Sequence, residues 1–208
     1  MKKTNYGFKQ SVIDGSEIIF GCSEKETLPQ KYSYREFLPN VINQGGYSIC
    51  VPCSLSAYLN WKINMEHGEV KDNSIALFDI YNSKTNDGDG MTFKAAFKYL
   101  RHEGVNTQQG KIKIGTYGKV NTIEDLKYAI TLNGPCVGAL PVYNERCEFW
   151  NKNGRERLSG YHAISIVGYD EEGFIIRNSW GDEYCDSGYT KIKYDDFKKL
   201  IEIWTVIE

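Results

Sequence analysis

Apolar residues in this chain recur at two different periods, and the change falls past the middle. Leu55, Leu59 and Ile63, with Ala57, Tyr58 and Trp61 alongside, follow the spacing of a helix buried on much of its circumference. That helix starts at Ser48 or Cys50 and ends before Gly68. Phe93, Ala96, Phe97 and Leu100 mark one face of a second, from about Thr92 to Glu103, stopped by Gly104. Thr122, with Asp125 three residues on, opens a third that reaches Leu132 before Asn133-Gly134-Pro135. Beyond it, Cys136–Val142, Ala163–Tyr169, Phe174–Asn178 and Gly188–Ile192 read as strands between Gly- and Asp-rich turns. Asp195–Leu200 is a short helix and Ile201–Ile207 a last strand. Helices first and an antiparallel sheet second predict an α+β fold with two lobes.

Length fits that reading, since 208 residues make one domain of upper-middle size or one domain of two lobes. The 25 basic and 27 acidic residues nearly cancel, so no basic field drives nucleic-acid binding. No run of 18 apolar residues appears, so no membrane-spanning helix is expected. Lys2 and Lys3 precede no apolar stretch, because Asn5, Lys9, Gln10 and Asp14 interrupt it. Ile18-Ile19-Phe20-Gly21-Cys22 has only three apolar residues before the cysteine and is not read as a lipidation box. The expected location is the cytoplasm, or a phage particle or virion.

Residues 1–27 are polar with two apolar bursts, Val12-Ile13 and Ile18–Phe20, and read as an arm or short pro-segment on the main body at 28–208. Residues 28–48 are a turn-rich approach to the first helix, and Asn82–Gly90 is a loop of turn formers. The helical lobe is expected over about 28–120 and the β lobe over about 121–208.

Three histidines are present. His67 and His102 close helices, where an imidazole suits the carbonyl end. His162 opens an apolar strand, which fits a buried structural imidazole or a working one. Of six cysteines, Cys50 sits in the first turn of a mostly buried helix, where unpaired N–H groups lower a thiol pKa, a setting that Cys22, Cys136, Cys147 and Cys185 lack. Cys136 reads as core, and the thiols are expected to be mostly free. Cys50-Val51-Pro52-Cys53 is also a C-x-P-C, the pattern of thiol–disulfide exchange. Such a motif should follow a buried strand in an alternating β/α chain, whereas here a loop, Asn43–Ser48, precedes it.

A wider constellation sets Gln44 six residues before Cys50, His162 about 110 residues after it, and Asn178 in Arg177-Asn178-Ser179-Trp180-Gly181. The blocks Asn43–Cys50, Tyr161-His162-Ala163 with Val167-Gly168-Tyr169, and Ile176–Tyr189 resemble, in order, those of papain-like (family C1) cysteine peptidases. Leu28-Pro29 stands where mature members often begin. The resemblance covers about residues 28–192 and implies the papain-like fold: a helical N-terminal lobe and an antiparallel, β-barrel-like C-terminal lobe. It implies Cys50 as nucleophile, His162 as base and acid, Asn178 as the group that orients it, and Gln44 as oxyanion donor. By alignment Gly90, Met91, Thr92, Phe93, Ala139 and Ala163 bind substrate, and Trp180 covers the Asn178–His162 bond. Departures are Val51 after the nucleophile, Tyr47 and Ile49 before it, Met91 for a second glycine, and no long pro-region. They resemble bacterial or phage-encoded members.

The expected function is therefore a cysteine endopeptidase acting on peptides or proteins through a thioacyl-enzyme, with no cofactor and no metal. Two alternatives stay open: a thiol–disulfide oxidoreductase using Cys50 and Cys53, and a non-catalytic peptide-binding module on a peptidase fold. The apolar pocket implies a hydrophobic residue two positions before the cut. Cys53, one turn from Cys50, is a candidate partner for reversible oxidation.

Overall fold

Where the first helical period begins, the chain forms α1 (Cys50–His67), closed at Gly68 by a bond from its N–H to Asn64 O at 2.8 Å. The computed structural model describes residues 6–21, 27–84 and 89–208. Lys2, Lys3, Asn5, Cys22 and residues 86–88 of the turn-rich loop lie outside the described residues. Helices α2 (Leu77–Asn82) and α3 (Phe93–His102) pack with α1. Thr92 caps α3 by accepting from Ala95 N at 3.1 Å, and Thr122 caps α4 (Ile123–Asn133) by accepting from Asp125 N at 3.0 Å. His67 and His102 are the last residues of α1 and α3.

The strands are β1 (Ile19–Phe20), β2 (Tyr32–Ser33), β3 (Val105–Thr107), β4 (Gly110–Ile112), β5 (Thr116–Val120), β6 (Cys136–Val142), β7 (Gly160–Tyr169), β8 (Gly173–Arg177), β9 (Tyr189–Lys193) and β10 (Glu202–Ile207). The main sheet runs β1-β5-β10-β6-β7-β8-β9, with β2 also on β7; β3 and β4 form a separate hairpin. Among the strands of the described residues, β1 and β5 pair in parallel and the other pairs are antiparallel. Residues 194–199 form a 3-10 turn before β10. The central strands are apolar on both faces because a core lies on each side. Val137, Ala139, Ala163, Trp204 and Val206 join α1 and α3 in one buried cluster. Cys136, Leu140, Ile164, Ile166 and Ile203 join α4 in the other.

The separation of helices from strands along the chain is looser than the period change suggests. β2 comes from the turn-rich approach and β5 from the end of the expected helical lobe, yet both enter the main sheet. Helix α4 packs on β5, β6, β7 and β10. Short, half-polar runs such as Thr116-Tyr117-Gly118-Lys119-Val120 carry little period to read.

The thiol expectation needs correcting at one pair. Cys147 and Cys185 form a disulfide, with Cα atoms 5.6 Å apart, that ties the β6–β7 loop to the segment after Trp180. Spacing alone cannot show this, because two long loops must close first. Cys50, Cys53 and Cys136 are free and buried.

The two halves are pinned together by Ser165 Oγ on β7, which donates to Ser54 O on α1 at 2.7 Å. Ser165→Ala should lower stability by about 1 kcal/mol. That corresponds to roughly 2–4 °C in Tm for a chain this long, readable by thermal melting with unchanged far-UV circular dichroism. An unshifted Tm would show that this bond carries no net stability.

Candidate active site

Cys50 is the first residue of α1, and Ile49 before it offers no side-chain cap, so the helix start is left to the thiol and its surroundings. β7 carries His162, and Asn178 follows β8 directly. The β7–β8 pairing, Ser165 opposite Arg177, sets the two side by side. His162 Nε2 and Asn178 Oδ1 are 2.7 Å apart. Asn178 Oδ1 also accepts from Ser179 N at 2.8 Å, which identifies it as the oxygen. An oxygen cannot donate, so His162 Nε2 must carry the proton. Nδ1 is then the bare nitrogen; it is buried and has no partner among the described residues.

Three aromatic rings fix the imidazole. Trp180 stacks on it at 4.9 Å and 27°, and Phe149 and Tyr6 meet it edge-on at 5.7 and 6.1 Å. Phe149 comes from the loop held by the disulfide. Gln44 is buried in the turn before α1. Its Nε2 donates to Tyr47 O at 2.8 Å, and its Oε1 accepts from Ser179 Oγ at 2.6 Å. One Nε2 hydrogen therefore remains for another acceptor.

The cleft is filled by the chain itself. Residues 6–11 lie in it as an extended segment: Met91 N donates to Gly7 O at 2.7 Å and Lys9 N donates to Met91 O at 2.9 Å. This is a parallel bridge, Phe8 to Met91. Gly7 passes so close to the Ser48 carbonyl that a Cβ there would sit 2.0 Å from the oxygen. Gly90 holds a φ of 92°, and a Cβ on it would come within 2.7 Å of Gly7 O. Phe8 is buried 5.1 Å from Phe93, in the cluster that also holds Met91, Ala139 and Ala163. Thr92 is half-buried as the α3 cap. So the structure gathers Cys50, His162, Asn178, Gln44 and Trp180 around one end of a groove and Gly90, Met91, Phe93, Ala139 and Ala163 along the rest. Beyond Trp180 the groove continues as an open cavity of about 350 Å³ lined by Asn43, Glu145, Glu183 and Tyr184.

Burial decides the charge state of the pair. Cys50 is 0 % exposed. Burial pushes its thiol up to about 11, against the backbone N–H groups of Ala163, Gly7 and Val51, which pull it down. Burial also pushes His162 down to about 4, against the Asn178 bond. The helix N-terminus alone suggests a low thiol pKa; here desolvation outweighs it, and the covered pair is neutral. Cys53 is raised for the same reason and by its nearness to Cys50.

The sequence offers no signal for Tyr6, Gly7 and Phe8 as cleft residues. The apolar bursts point elsewhere, to Val12 (80 % exposed) and Ile13, which face solvent. Phe149 is missed as well, since a loop aromatic has no period.

Residues 80–204 match the family model described as papain family cysteine protease. That span contains His162 and Asn178 but begins after Gln44 and Cys50. The chain is 26% identical to cathepsin Q of Rattus norvegicus over 91% of its own length and 68% of that protein. It is 22% identical to cathepsin B-like CP2 of Giardia intestinalis, over 82% of its length and 70% of that protein. Among solved structures, xylellain, a cysteine protease from Xylella fastidiosa, superposes with a TM-score of 0.81 at 21% identity, covering 99% of this chain and 96% of that one. Procathepsin L 3 from Tenebrio molitor larval midgut gives 0.75 at 18% identity, covering 99% and 77%.

Lifting the arm should reverse both pKa displacements. In the full chain, Gly7→Ala sets a methyl against the Ser48 carbonyl, an overpacking of roughly 1–3 kcal/mol. Iodoacetamide labelling of Cys50, followed by peptide mapping, should then speed up about tenfold or more, with its pH midpoint at least about one unit below that of the unaltered chain. An unchanged rate and midpoint would show that residues 6–11 do not control access to the thiol.

Proposed function

The chain belongs to the papain family of cysteine proteases, and on that premise we propose that Cys50, His162 and Asn178 perform peptide-bond hydrolysis in a cleft that residues 6–11 keep latent. The protein is a cysteine endopeptidase, and its substrates are peptides or proteins. The observation that supports the residue assignment best is the tautomer: Asn178 holds the proton on Nε2 and leaves Nδ1 free on an otherwise enclosed ring.

Each step follows from those atoms. Nδ1 takes the Cys50 thiol proton, giving thiolate and imidazolium. The sulfur attacks the substrate carbonyl carbon, and the electron pair moves to oxygen. The Cys50 backbone N–H and the spare Gln44 Nε2 hydrogen are the donors for that oxyanion. The imidazolium then returns its proton to the departing amine as the C–N bond breaks, leaving a thioester. Water, deprotonated by the same Nδ1, adds to the thioester and releases the acid and the thiol.

Direction explains latency. The leaving nitrogen lies on the C-terminal side of a scissile carbonyl and must face His162. A substrate therefore runs from the Phe93 end toward His162 and Trp180. The arm runs the other way: Tyr6 lies against His162, Gly7 passes Cys50, and Phe8 packs on Phe93. A peptide bond of the arm presents its nitrogen on the wrong side for proton transfer. Phe8 marks the wall that takes a large apolar side chain two positions before the cut. The free, neighbouring thiols of Cys50 and Cys53 keep reversible oxidation available as an accessory property. The departures at 47–51 favour a bacterial or phage-encoded member.

Cleavage of a fluorogenic peptide by the arm-loosened Gly7→Ala chain tests the assignment. Cys50→Ala in that chain should abolish turnover, and His162→Ala should cost about as much, because nucleophile and base act as a unit. Asn178→Ala should cost less, since it moves no proton. Turnover that survives Cys50→Ala in a folded chain would contradict the assignment.

A further inference from the structure

We propose that the Cys147–Cys185 disulfide is a reversible modification site, opened by a dithiol, through which the packing of His162 and hence turnover are set. The inference goes beyond the peptidase reading above and rests on it for turnover alone. Both cysteines are exposed, whereas Phe149, two residues after Cys147, is fully buried. Phe149 meets His162 at 5.7 Å and Trp180 at 5.1 Å. Cys185 follows Tyr184, whose ring meets Trp180 edge-on at 4.9 Å and 84°. Trp180 in turn stacks on His162. Each end of the bridge is thus within two residues of a ring in the box around the imidazole. The bridge lies at the surface and the rings lie inside.

The segment after Trp180 reaches the orienting residue as well. Asn178 N donates to Gly188 O at 3.0 Å, and Gly188 N donates to Tyr184 O at 2.6 Å. Between those two residues, Cys185 and Ser187 hold φ values of 49° and 53°, a left-handed conformation that residues with side chains adopt at a cost. The bridge spans 38 residues of chain and holds the turn closed against that cost. Opening it lets the turn relax. The relaxation reaches Asn178 through Gly188, and His162 through Tyr184, Trp180 and Phe149.

Exposed disulfides are the ones that exchange readily. A thiolate of the dithiol attacks one bridge sulfur, and the S–S bond breaks to give a mixed disulfide and one cysteine thiolate. The second thiol of the dithiol then displaces the other cysteine. Cys147 and Cys185 gain two electrons and two protons and end as thiols; the dithiol loses both and ends as a disulfide. The competing restraint is hydrogen bonding. Tyr184 Oη lies 2.9 Å from Arg146 O and 3.1 Å from Cys147 O, and Thr190 Oγ1 donates to Cys147 O at 3.0 Å. If those bonds held the loop unaided, opening the bridge would change nothing at His162.

In the full chain carrying Cys50→Ala, dithiothreitol is titrated in, and alkylation with peptide mapping follows Cys147 and Cys185. Nitrogen-15 NMR then reads solvent exchange of the His162 Nε2 proton, which the Asn178 bond and the ring box protect. That exchange should speed up about tenfold or more on opening and return on reoxidation, while the backbone amides of β6 and β10 keep their protection. A bridge that resists dithiothreitol in the folded chain overturns the proposal. An open bridge with unchanged His162 exchange overturns it, and so does loss of amide protection throughout, which would make the bridge a structural staple. In the Gly7→Ala chain, Cys147→Ser together with Cys185→Ser should lower kcat about tenfold with KM within about twofold, because the loosened groups act on the transition state. An equal kcat in a folded variant overturns the proposal too; if that variant does not fold, the exchange measurement decides alone. Failure of the peptidase reading shows separately: the Gly7→Ala chain with its bridge intact would then cleave no peptide, while the exchange result would stand.

Discussion

One hydrogen bond, from His162 Nε2 to Asn178 Oδ1, organises the chemistry of this molecule. It fixes which ring nitrogen carries the proton, and so which one can take another from a thiol. Everything around it holds that pair still. β7 and β8 set the two residues in register, Trp180 and Phe149 box the ring, and the Cys147–Cys185 disulfide ties down the loop that carries Phe149. Ser179 contributes twice: its N–H identifies the Asn178 oxygen, and its hydroxyl orients Gln44. A short segment after β8 thereby couples the orienting residue to the oxyanion donor.

The second constraint is water. A thiolate–imidazolium pair needs solvation or compensating dipoles, and the segment over Cys50 and His162 removes the solvent. The two pKa values move apart in the direction that keeps both groups neutral. By linkage, a covered cleft and an ionised pair disfavour each other: whatever charges the pair loosens the arm, and whatever seats the arm discharges the pair. Latency here is therefore electrostatic as well as steric.

Much of this was legible in the sequence. Cys50 at a helix start, Gln44 six residues before it, and His162 and Asn178 opening and following apolar strands are fixed by local spacing. The helices α1, α3 and α4 carry clear periods and caps. What was not legible depends on tertiary closure. Cys147 and Cys185 meet only once two loops are placed. Tyr6 and Phe8 are buried by a cleft that other parts of the chain build, whereas Val12 and Ile13 look like the anchors and stay exposed. The N-terminal helix dipole argued for an ionised Cys50; burial, which sequence does not show, outweighed it.

The most direct measurement is the protonation of His162 in the full chain, by nitrogen-15 NMR of labelled imidazoles, which are only three in number. The account predicts one neutral ring with its proton on Nε2 and no change of state between about pH 5 and 8, well above the His162 value of about 4. A His162 that is doubly protonated at pH 6, or that carries its proton on Nδ1, would contradict it.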